Sequence, residues 1–336
     1  MKKSFFLLTT LLVTYLGLSQ TSVDYLLKGA GKFELRDYRG AIADFTKAIE
    51  LDPETEGAYF VRGAAKYELG DYHGAIADYN KAISLNPIAE TYHNRGVAKT
   101  DLQDFQGAIP DFNKAIELDP DYKEAYYNRG LVKYNLQDFR GAIADYNKAI
   151  SLDPEFTETY HNRGRAKANL QDFRGAIDDY NTAIGLDPKV AEAYYNRGLA
   201  IANLQDFREA ITDFDKAIEL DPEHTEAFYN RGLAKFYLQD FRGAMFDFDK
   251  AIKLDPEHIE AYYSRGLART NQQDFREAVS DFNKAIELNP ESAILYYSRG
   301  VVKLQLGLIN SGCLDLSKAE QLGYKDANGL IKKYCQ

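Results

Sequence analysis

The stretch that decides the fold is AYYNRG at residues 125–130. Nearly the same six residues return as AYYNRG at 193–198, AFYNRG at 227–232, AYYSRG at 261–266 and LYYSRG at 295–300. The closing glycine of this motif recurs every 33 or 34 residues, at Gly29, Gly63, Gly96, Gly130, Gly164, Gly198, Gly232, Gly266 and Gly300. The chain is therefore built from copies of one short unit.

One unit, residues 123–156, contains two stretches with helical spacing. Tyr126 and Gly130 lie four residues apart and so share one face of the first helix. Asp138 precedes the second helix and suits an N-cap, and Pro154 ends that helix because proline lacks a backbone N–H. One helix pair cannot bury its own apolar face, whereas stacked pairs can. The sequence therefore predicts an all-α stack of helical hairpins.

This pattern resembles the tetratricopeptide repeat. The family's aromatic, glycine, small–aromatic–small and terminal proline positions are filled here by Tyr126, Gly130, Ala142, Tyr146, Ala149 and Pro154. The resemblance implies a right-handed superhelical solenoid of helix–turn–helix repeats with a C-terminal capping helix at 327–336. The repeat array is expected over 22–326. Its units are placed near residues 22–55, 56–88, 89–122, 123–156, 157–190, 191–224, 225–258, 259–292 and 293–326.

The N-terminal residues 1–19 have the pattern of a bacterial signal peptide. Lys2 and Lys3 precede an apolar run from Phe5 to Leu18, which is too short to span a bilayer comfortably. Cleavage after Ser19 is expected to release the chain into the periplasm or the medium, and an uncleaved anchor is the alternative. No membrane span is expected in the mature chain.

The formal net charge of the 336 residues is −10. Proteins that bind nucleic acid need surfaces rich in lysine and arginine to meet the phosphate backbone. The acidic balance therefore argues against a nucleic-acid partner.

Two charged positions depart from the family pattern. Arginine stands immediately before the motif glycine in every unit except the first, and aspartate precedes the core aromatic of the second helix in every unit except the last, where Leu316 follows it. We predict that the two residues of one unit pair between its helices, as Arg129 with Asp145 and Arg197 with Asp213. The alternative is a row of unpaired arginines that binds an acidic ligand.

Pro110 falls inside the second helix of the third unit. Proline at such a position deletes a backbone hydrogen bond and is expected to kink the helix. We therefore expect a local irregularity in this unit.

A row of amides is the leading candidate for ligand binding. It consists of the residues two before the motif glycine, namely Asn94, Asn128, Asn162, Asn196 and Asn230. The row resembles the asparagine ladder of the O-GlcNAc transferase superhelix, which implies that it lies on the concave face and holds a peptide backbone. An amide offers both a donor and an acceptor to a peptide group. Beside the row stand Tyr127, Tyr195, Tyr229 and Tyr263. The alternative is that the asparagines bridge neighbouring helices and the tyrosines pack between units.

A second polar row is acidic and lies at the start of the first helices. Its members are Glu90, Glu124, Glu158, Glu192, Glu226 and Glu260. Carboxylates near a helix N-terminus are stabilised by the helix dipole, which is a sufficient structural explanation. If they also rim the groove, they favour basic partner segments.

No catalytic motif is present, so we expect neither an enzyme nor a cofactor. The sequence has no phosphate-binding glycine loop and no nucleophile with a partner base. His93 and His161 hold equivalent positions two units apart, too far for one metal ion. The interpretation is a non-catalytic scaffold that binds an extended peptide or protein segment in its concave groove. The alternatives are a structural spacer that docks through its edges or convex face, and a binder of envelope glycans.

Cys313 and Cys335 are the only cysteines, and both lie near the C-terminus. An exported chain favours a disulfide between them, which would pin the capping helix. Two buried free thiols are the alternative.

Overall fold

The computed structural model describes residues 20–335, so the predicted signal peptide lies outside the described residues. Over that range the chain forms nineteen α-helices and no strand. The helices belong to two compact units, residues 20–170 and residues 171–335. Within each unit the helices pair into hairpins, and the hairpins stack in chain order. The predicted all-α repeat fold is thereby confirmed.

The first unit contains Gln20–Glu34 (α1), Tyr38–Leu51 (α2), Glu56–Glu68 (α3), Tyr72–Leu85 (α4), Ala89–Asp101 (α5), Phe105–Leu118 (α6), Lys123–Asn135 (α7), Phe139–Leu152 (α8) and Thr157–Asn169 (α9). The second contains Phe173–Leu186 (α10), Ala191–Asn203 (α11), Phe207–Leu220 (α12), Thr225–Tyr237 (α13), Phe241–Leu254 (α14), Ile259–Asn271 (α15), Phe275–Leu288 (α16), Ala293–Gln305 (α17), Ile309–Gln321 (α18) and Ala327–Tyr334 (α19). Odd-numbered helices up to α17 are the first helices of repeats, and even-numbered helices are the second.

The second helices from α2 to α16 each follow an aspartate, whereas α18 follows Leu308. Asp138 caps α8, and its carboxylate accepts a hydrogen bond of 2.9 Å from the backbone N–H of Gly141. This bond satisfies one of the free N–H groups at the helix start. The same bond to the residue three positions later is made by Asp37, Asp71, Asp104, Asp172, Asp206 and Asp240.

The core of the hairpin α7–α8 is an aromatic ring set against a glycine. Tyr146 of α8 is fully buried between Ala142 and Ala149, as the spacing predicts. Its ring lies against Gly130 of α7, where a Cβ atom would come within 2.6 Å of the ring carbon Cε1. The motif glycine is therefore required by this close approach.

The third repeat keeps regular helix lengths despite Pro110. Helix α6 runs unbroken through this residue and has 14 residues, as α4 and α8 do. Pro110 is exposed, so its ring displaces no core side chain. The expected irregularity is not visible in the helix bounds.

Helix α19 closes the second unit. Its residue Ala327 is buried against Leu316 and Ala319 of α18. A disulfide joins Cys313 of α18 to Cys335, which directly follows α19, with Cα atoms 5.5 Å apart.

Reduction of this disulfide is expected to loosen α19 selectively. Reduction of the disulfide is expected to remove about 2 kcal/mol of stabilisation, the lower end of the usual range. The loss should be confined to α19, because this helix is short and packs only on the end of the unit. Hydrogen exchange with and without reductant measures this, and the α19 amides should exchange at least tenfold faster after reduction. The amides of α12 serve as the internal control. Equal protection of α19 in both states would contradict the prediction.

Candidate functional site

A groove with a volume of about 920 Å³ opens on the first unit. Its walls come mainly from the first helices α3, α5 and α7. The apolar part of the lining includes Phe33, Phe60 and Val97, and the polar part includes Asn94 and Asn128. The structure thus brings two of the five predicted asparagines into one site.

His93 ties these asparagines together. This buried imidazole faces Asn128 with Nε2 at 2.8 Å from the amide Nδ2, while its Nδ1 lies 3.2 Å from both Asn94 Oδ1 and Tyr122 Oη. An amide nitrogen is only a donor, so Nε2 accepts and the neutral ring carries its hydrogen on Nδ1. This network fixes the orientation of Asn94 on α5 and Asn128 on α7, which line the groove from two neighbouring repeats.

The other asparagines of the row also bond within the protein. Asn162 donates to the hydroxyl of Tyr127 over 3.0 Å, and Asn230 donates to that of Tyr195 over 3.2 Å. Asn196 instead donates to Glu192 of its own helix over 3.1 Å. The amide N–H groups therefore bridge neighbouring repeats or brace their helix, which is the structural alternative that the sequence left open.

Fewer of the amide oxygens than of the amide nitrogens take part in hydrogen bonds within the protein. The side-chain oxygens of Asn128 and Asn230 accept no hydrogen bond from any residue in the range 20–335. Each retains the acceptor function that a peptide N–H requires.

The tyrosine row packs between repeats. The ring of Tyr127 lies 4.8 Å from that of Phe156, and Tyr195 and Tyr229 lie 4.6 and 4.8 Å from the imidazoles of the next repeats. Tyr263 lies 6.0 Å from Phe282. Edge and tilted contacts at these distances are typical of stabilising aromatic pairs. These residues are half-buried, so they support the groove more than they fill it.

Arginine and aspartate pair between the two helices of seven hairpins in the described residues. Asp145, only 4% exposed, accepts from Arg129 Nε over 2.9 Å and from Nη2 over 2.6 Å. Asp213 accepts from Arg197 over 2.8 and 2.6 Å in the same way. Such bidentate bonds are the strongest that arginine makes with a carboxylate. The alternative of unpaired arginines is wrong for Arg62, Arg95, Arg129, Arg197, Arg231, Arg265 and Arg299.

The third arginine nitrogen reaches the preceding repeat. Nη1 of Arg129 donates to Asn113 Oδ1 over 2.6 Å, and the guanidinium lies 5.5 Å from the ring centre of Tyr126. One side chain therefore joins both helices of its own hairpin to the second helix of the hairpin before it.

A second cation, which was not predicted from the sequence, contacts most of these aspartates. Nζ of Lys133 lies 2.8 Å from Asp145, and Lys66, Lys99, Lys235 and Lys303 hold the same position in their repeats. The signal was present, because this lysine lies four residues after the arginine and so shares its helix face. Ile201 replaces the lysine in one repeat.

Glu90 is the unusual carboxylate of the groove. It is half-buried on α5 and forms no ion pair or hydrogen bond with the residues that the structure describes. Burial, followed by the nearby charge of Glu56, raises its pKa to about 7. Burial also raises the pKa of Glu56, whose side chain is reached by the Asn86 amide. Two acidic groups here are therefore held in a poorly solvated site without a cation.

Glu90→Gln is expected to stabilise the protein at pH 8 and to change little at pH 5. A pKa raised in the folded state means that the charged form is penalised on folding, so the cost is present above pH 7 and vanishes as the group protonates. After allowance for solvent, we expect a gain of roughly 2 kcal/mol at pH 8. Denaturant titrations at both pH values measure it, with Glu158→Gln as control, because the Glu158 side chain forms no ion pair among residues 20–335. An equal effect at both pH values would contradict the prediction.

Comparison with known families decides the identity of the repeat. Models described as tetratricopeptide repeat or TPR repeat match residues 25–55, 57–87, 96–137, 124–156, 161–225, 202–234, 225–258 and 259–292, together well over half of the chain. The chain belongs to the tetratricopeptide-repeat (TPR) family. The TPR fold serves protein–protein interaction and is generally not enzymatic, so this TPR protein is an interaction scaffold.

Solved TPR structures share the fold. A tetratricopeptide repeat protein from Parabacteroides merdae ATCC 43184 is 24% identical over 74% of this chain and 99% of its own, with a TM-score of 0.55. PilF of Pseudomonas aeruginosa is 16% identical over 65% and 97%, with a TM-score of 0.55. YrrB, described as a TPR protein with an unusual peptide-binding site, is 23% identical over 56% and 97%, with a TM-score of 0.50. No curated protein matches the chain.

Across residues 20–335, no three His, Cys, Asp or Glu side chains are grouped to hold a metal ion. No helix in that range combines the length and the apolar character needed to cross a bilayer.

Proposed function

We propose that this TPR protein is a non-catalytic scaffold that binds an extended peptide or protein segment in the groove of its first unit. The observation that carries the proposal is the groove itself, about 920 Å³ in volume, with an aromatic and apolar floor beside amide side chains. Ligand sites typically combine such an apolar lining with a few well-placed polar groups. The description of YrrB as a peptide-binding TPR protein agrees with this use of the fold.

In the proposed binding mode, apolar side chains of the groove supply most of the affinity for the peptide, and an amide side chain aligns the peptide backbone. Phe33, Phe60 and Val97 provide the apolar surface that a peptide side chain buries. The free amide oxygen of Asn128 accepts a hydrogen bond from a peptide N–H, while its nitrogen stays bonded to His93. Because a backbone N–H is present whatever the peptide's side chains, this contact aligns the segment without restricting its sequence.

The test blocks the groove without breaking its internal bonds. Ala64 lines the groove and makes no polar contact, so Ala64→Trp fills the space. Random decapeptides displayed on phage are selected on the chain from residue 20 onward. We expect the selected peptides to bind the unaltered protein and to lose at least tenfold in affinity for Ala64→Trp.

The matched control is Leu233→Trp, at the equivalent position of a repeat in the second unit. It should leave peptide binding unchanged, and circular dichroism should show the same helix content in all three proteins. Peptides that bind Ala64→Trp as tightly as the unaltered protein would overturn the proposal and direct attention to the edges or the convex face.

We also propose that the protein is exported through the leader at residues 1–19. The disulfide between Cys313 and Cys335 supports this proposal, because disulfides persist in oxidising compartments. Intact-mass measurement of the protein from fractionated cells tests it. A periplasmic or secreted chain that begins at Gln20 is expected, and a full-length chain in the cytoplasmic fraction would contradict it.

A further inference from the structure

One wall of the groove carries a carboxylate that the rest of the first unit does not neutralise. Glu90 lines the groove at the start of α5, is half-buried, and is bonded to no cation or donor among residues 20–335. A half-buried carboxylate is costly without a partner, and a cation placed against it removes that cost. By contrast, Lys123, the one lysine or arginine in the lining, is already bonded to Asp153.

A phenol beside Glu90 is also without a partner. Tyr79 of α4 lines the groove and is 2% exposed, and its hydroxyl forms no hydrogen bond with the described part of the chain. Buried hydroxyls nearly always have a partner. The hydroxyl is not needed for packing, because phenylalanine fills the same position at Phe112, Phe214, Phe248 and Phe282. The hydroxyl of Tyr146, at the equivalent position outside the groove lining, also has no partner among residues 20–335. It is therefore the position of Tyr79 in the groove lining that makes its hydroxyl available to a ligand group.

Charge in the groove has one predominant sign. Besides Glu90, the carboxylates in its lining belong to Glu68, Asp119, Asp121 and Glu124. Behind Glu90 stands Glu56 of α3, which is only 7% exposed and whose Oε1 atom has no hydrogen-bond partner. A cationic group that enters this groove meets complementary charge on several sides.

We propose that this wall of the groove binds the side chain of a lysine or arginine within the extended peptide. The cation lies between the Glu90 carboxylate and the Tyr79 hydroxyl, donating to both, while the apolar stem of the side chain rests on the groove floor. This inference rests on the proposed peptide groove and adds the chemical class of the segment that occupies it.

Peptide binding at this subsite is expected to depend on pH, because it is linked to the ionisation of Glu90. Glu90 must be ionised to pair with the cation, and burial together with Glu56 raises its pKa to about 7 in the free protein. Peptide binding below that pH therefore releases a proton, so affinity falls as the pH is lowered from 8 to 5.5. The other titratable groups around Glu90 are Glu56, whose pKa burial also raises, and Tyr79 and Tyr122, whose pKa values burial raises and which stay neutral in this range. His93 lies one turn further along the same helix, and the Glu90→Gln variant retains it, so that variant separates the effect of Glu90 from that of the imidazole.

Two peptide pools test the proposal. Both are random decapeptides, one with lysine fixed at the fifth position and one with norleucine there, which has a similar stem and no charge. At pH 8 the lysine pool should bind at least tenfold more tightly than the norleucine pool. At pH 5.5 most of that advantage should disappear.

Substitutions at Glu90 and Tyr79 test whether these two residues cause the lysine preference. Glu90→Gln should abolish both the lysine preference and its pH dependence, and Tyr79→Phe should weaken the lysine pool about threefold with unchanged helix content. Glu226→Gln is the matched control and should behave as the unaltered protein. If Glu90→Gln retained the lysine preference, the inference would be overturned. It would also be overturned if free spermidine, a cation without a peptide backbone, competed for the groove as strongly as the lysine pool.

The same experiment separates this inference from the proposed function. If both pools bind equally well and Ala64→Trp still blocks their binding, the proposed peptide groove stands and only the cation subsite is overturned. Binding of neither pool, or binding that Ala64→Trp leaves intact, would overturn the groove and the subsite together.

Discussion

Asp145→Ala is expected to lower the stability of the first unit by about 3–5 kcal/mol, because removal of one member of a buried ion pair leaves the other uncompensated. Here two cations, Arg129 and Lys133, converge on a carboxylate that is 4% exposed. Denaturant titration followed by helical circular dichroism measures the loss. Hydrogen exchange should place it in α7 and α8 and in the hairpins beside them.

The control for this prediction comes from the chain itself. The repeat that contains Asp213 has Ile201 in place of the lysine, and its aspartate is still held by Arg197. Lys133→Ile reproduces that arrangement and is expected to cost less than about 1 kcal/mol, since the bidentate arginine remains. Similar losses for Asp145→Ala and Lys133→Ile would show that the charge pairing does not carry the effect.

Pro110→Ala is expected to stabilise the protein by about 3 kcal/mol, the usual cost of proline inside a helix. Helix α6 continues through this residue, but proline has no N–H to donate to the preceding turn. The side chain is exposed, so alanine gives up no packing. The midpoint of denaturation should rise accordingly.

The reciprocal substitution checks the cause. Ala144 occupies the position of Pro110 in the next repeat, and Ala144→Pro should destabilise the protein by a similar amount. If Pro110→Ala brought no gain while Ala144→Pro brought a loss, α6 would already compensate for its proline elsewhere in the backbone.

The fold was predictable because its determinants are local and repeated. Gly130, Tyr146 and the cap at Asp138 lie within one unit, and each recurs with its neighbours at the same spacing. Charge and helical spacing were likewise enough to propose the pairing of Arg129 with Asp145. The asparagine bridge was predictable in principle, since Tyr127 and Asn162 are one period plus one residue apart.

The groove and its unpaired groups were not predictable in the same way. Glu90 belongs to a row of six similar glutamates, and nothing in the sequence marks it as the member with a raised pKa. Its raised pKa arises from burial in the stacked hairpins and from the charge of Glu56 on the preceding first helix, α3. Burial of this kind depends on how hairpins stack, and periodicity does not report it.

The arginine that joins two hairpins has a consequence for how such a chain changes length. Arg129 reaches 16 residues forward to Asp145 and 16 residues back to Asn113, so each unit carries both halves of its junction. A tandem duplication of one unit in the gene would insert a hairpin whose contacts with its neighbours are already encoded. Unequal crossing-over can thus lengthen or shorten the array by whole units, without any new interface having to evolve.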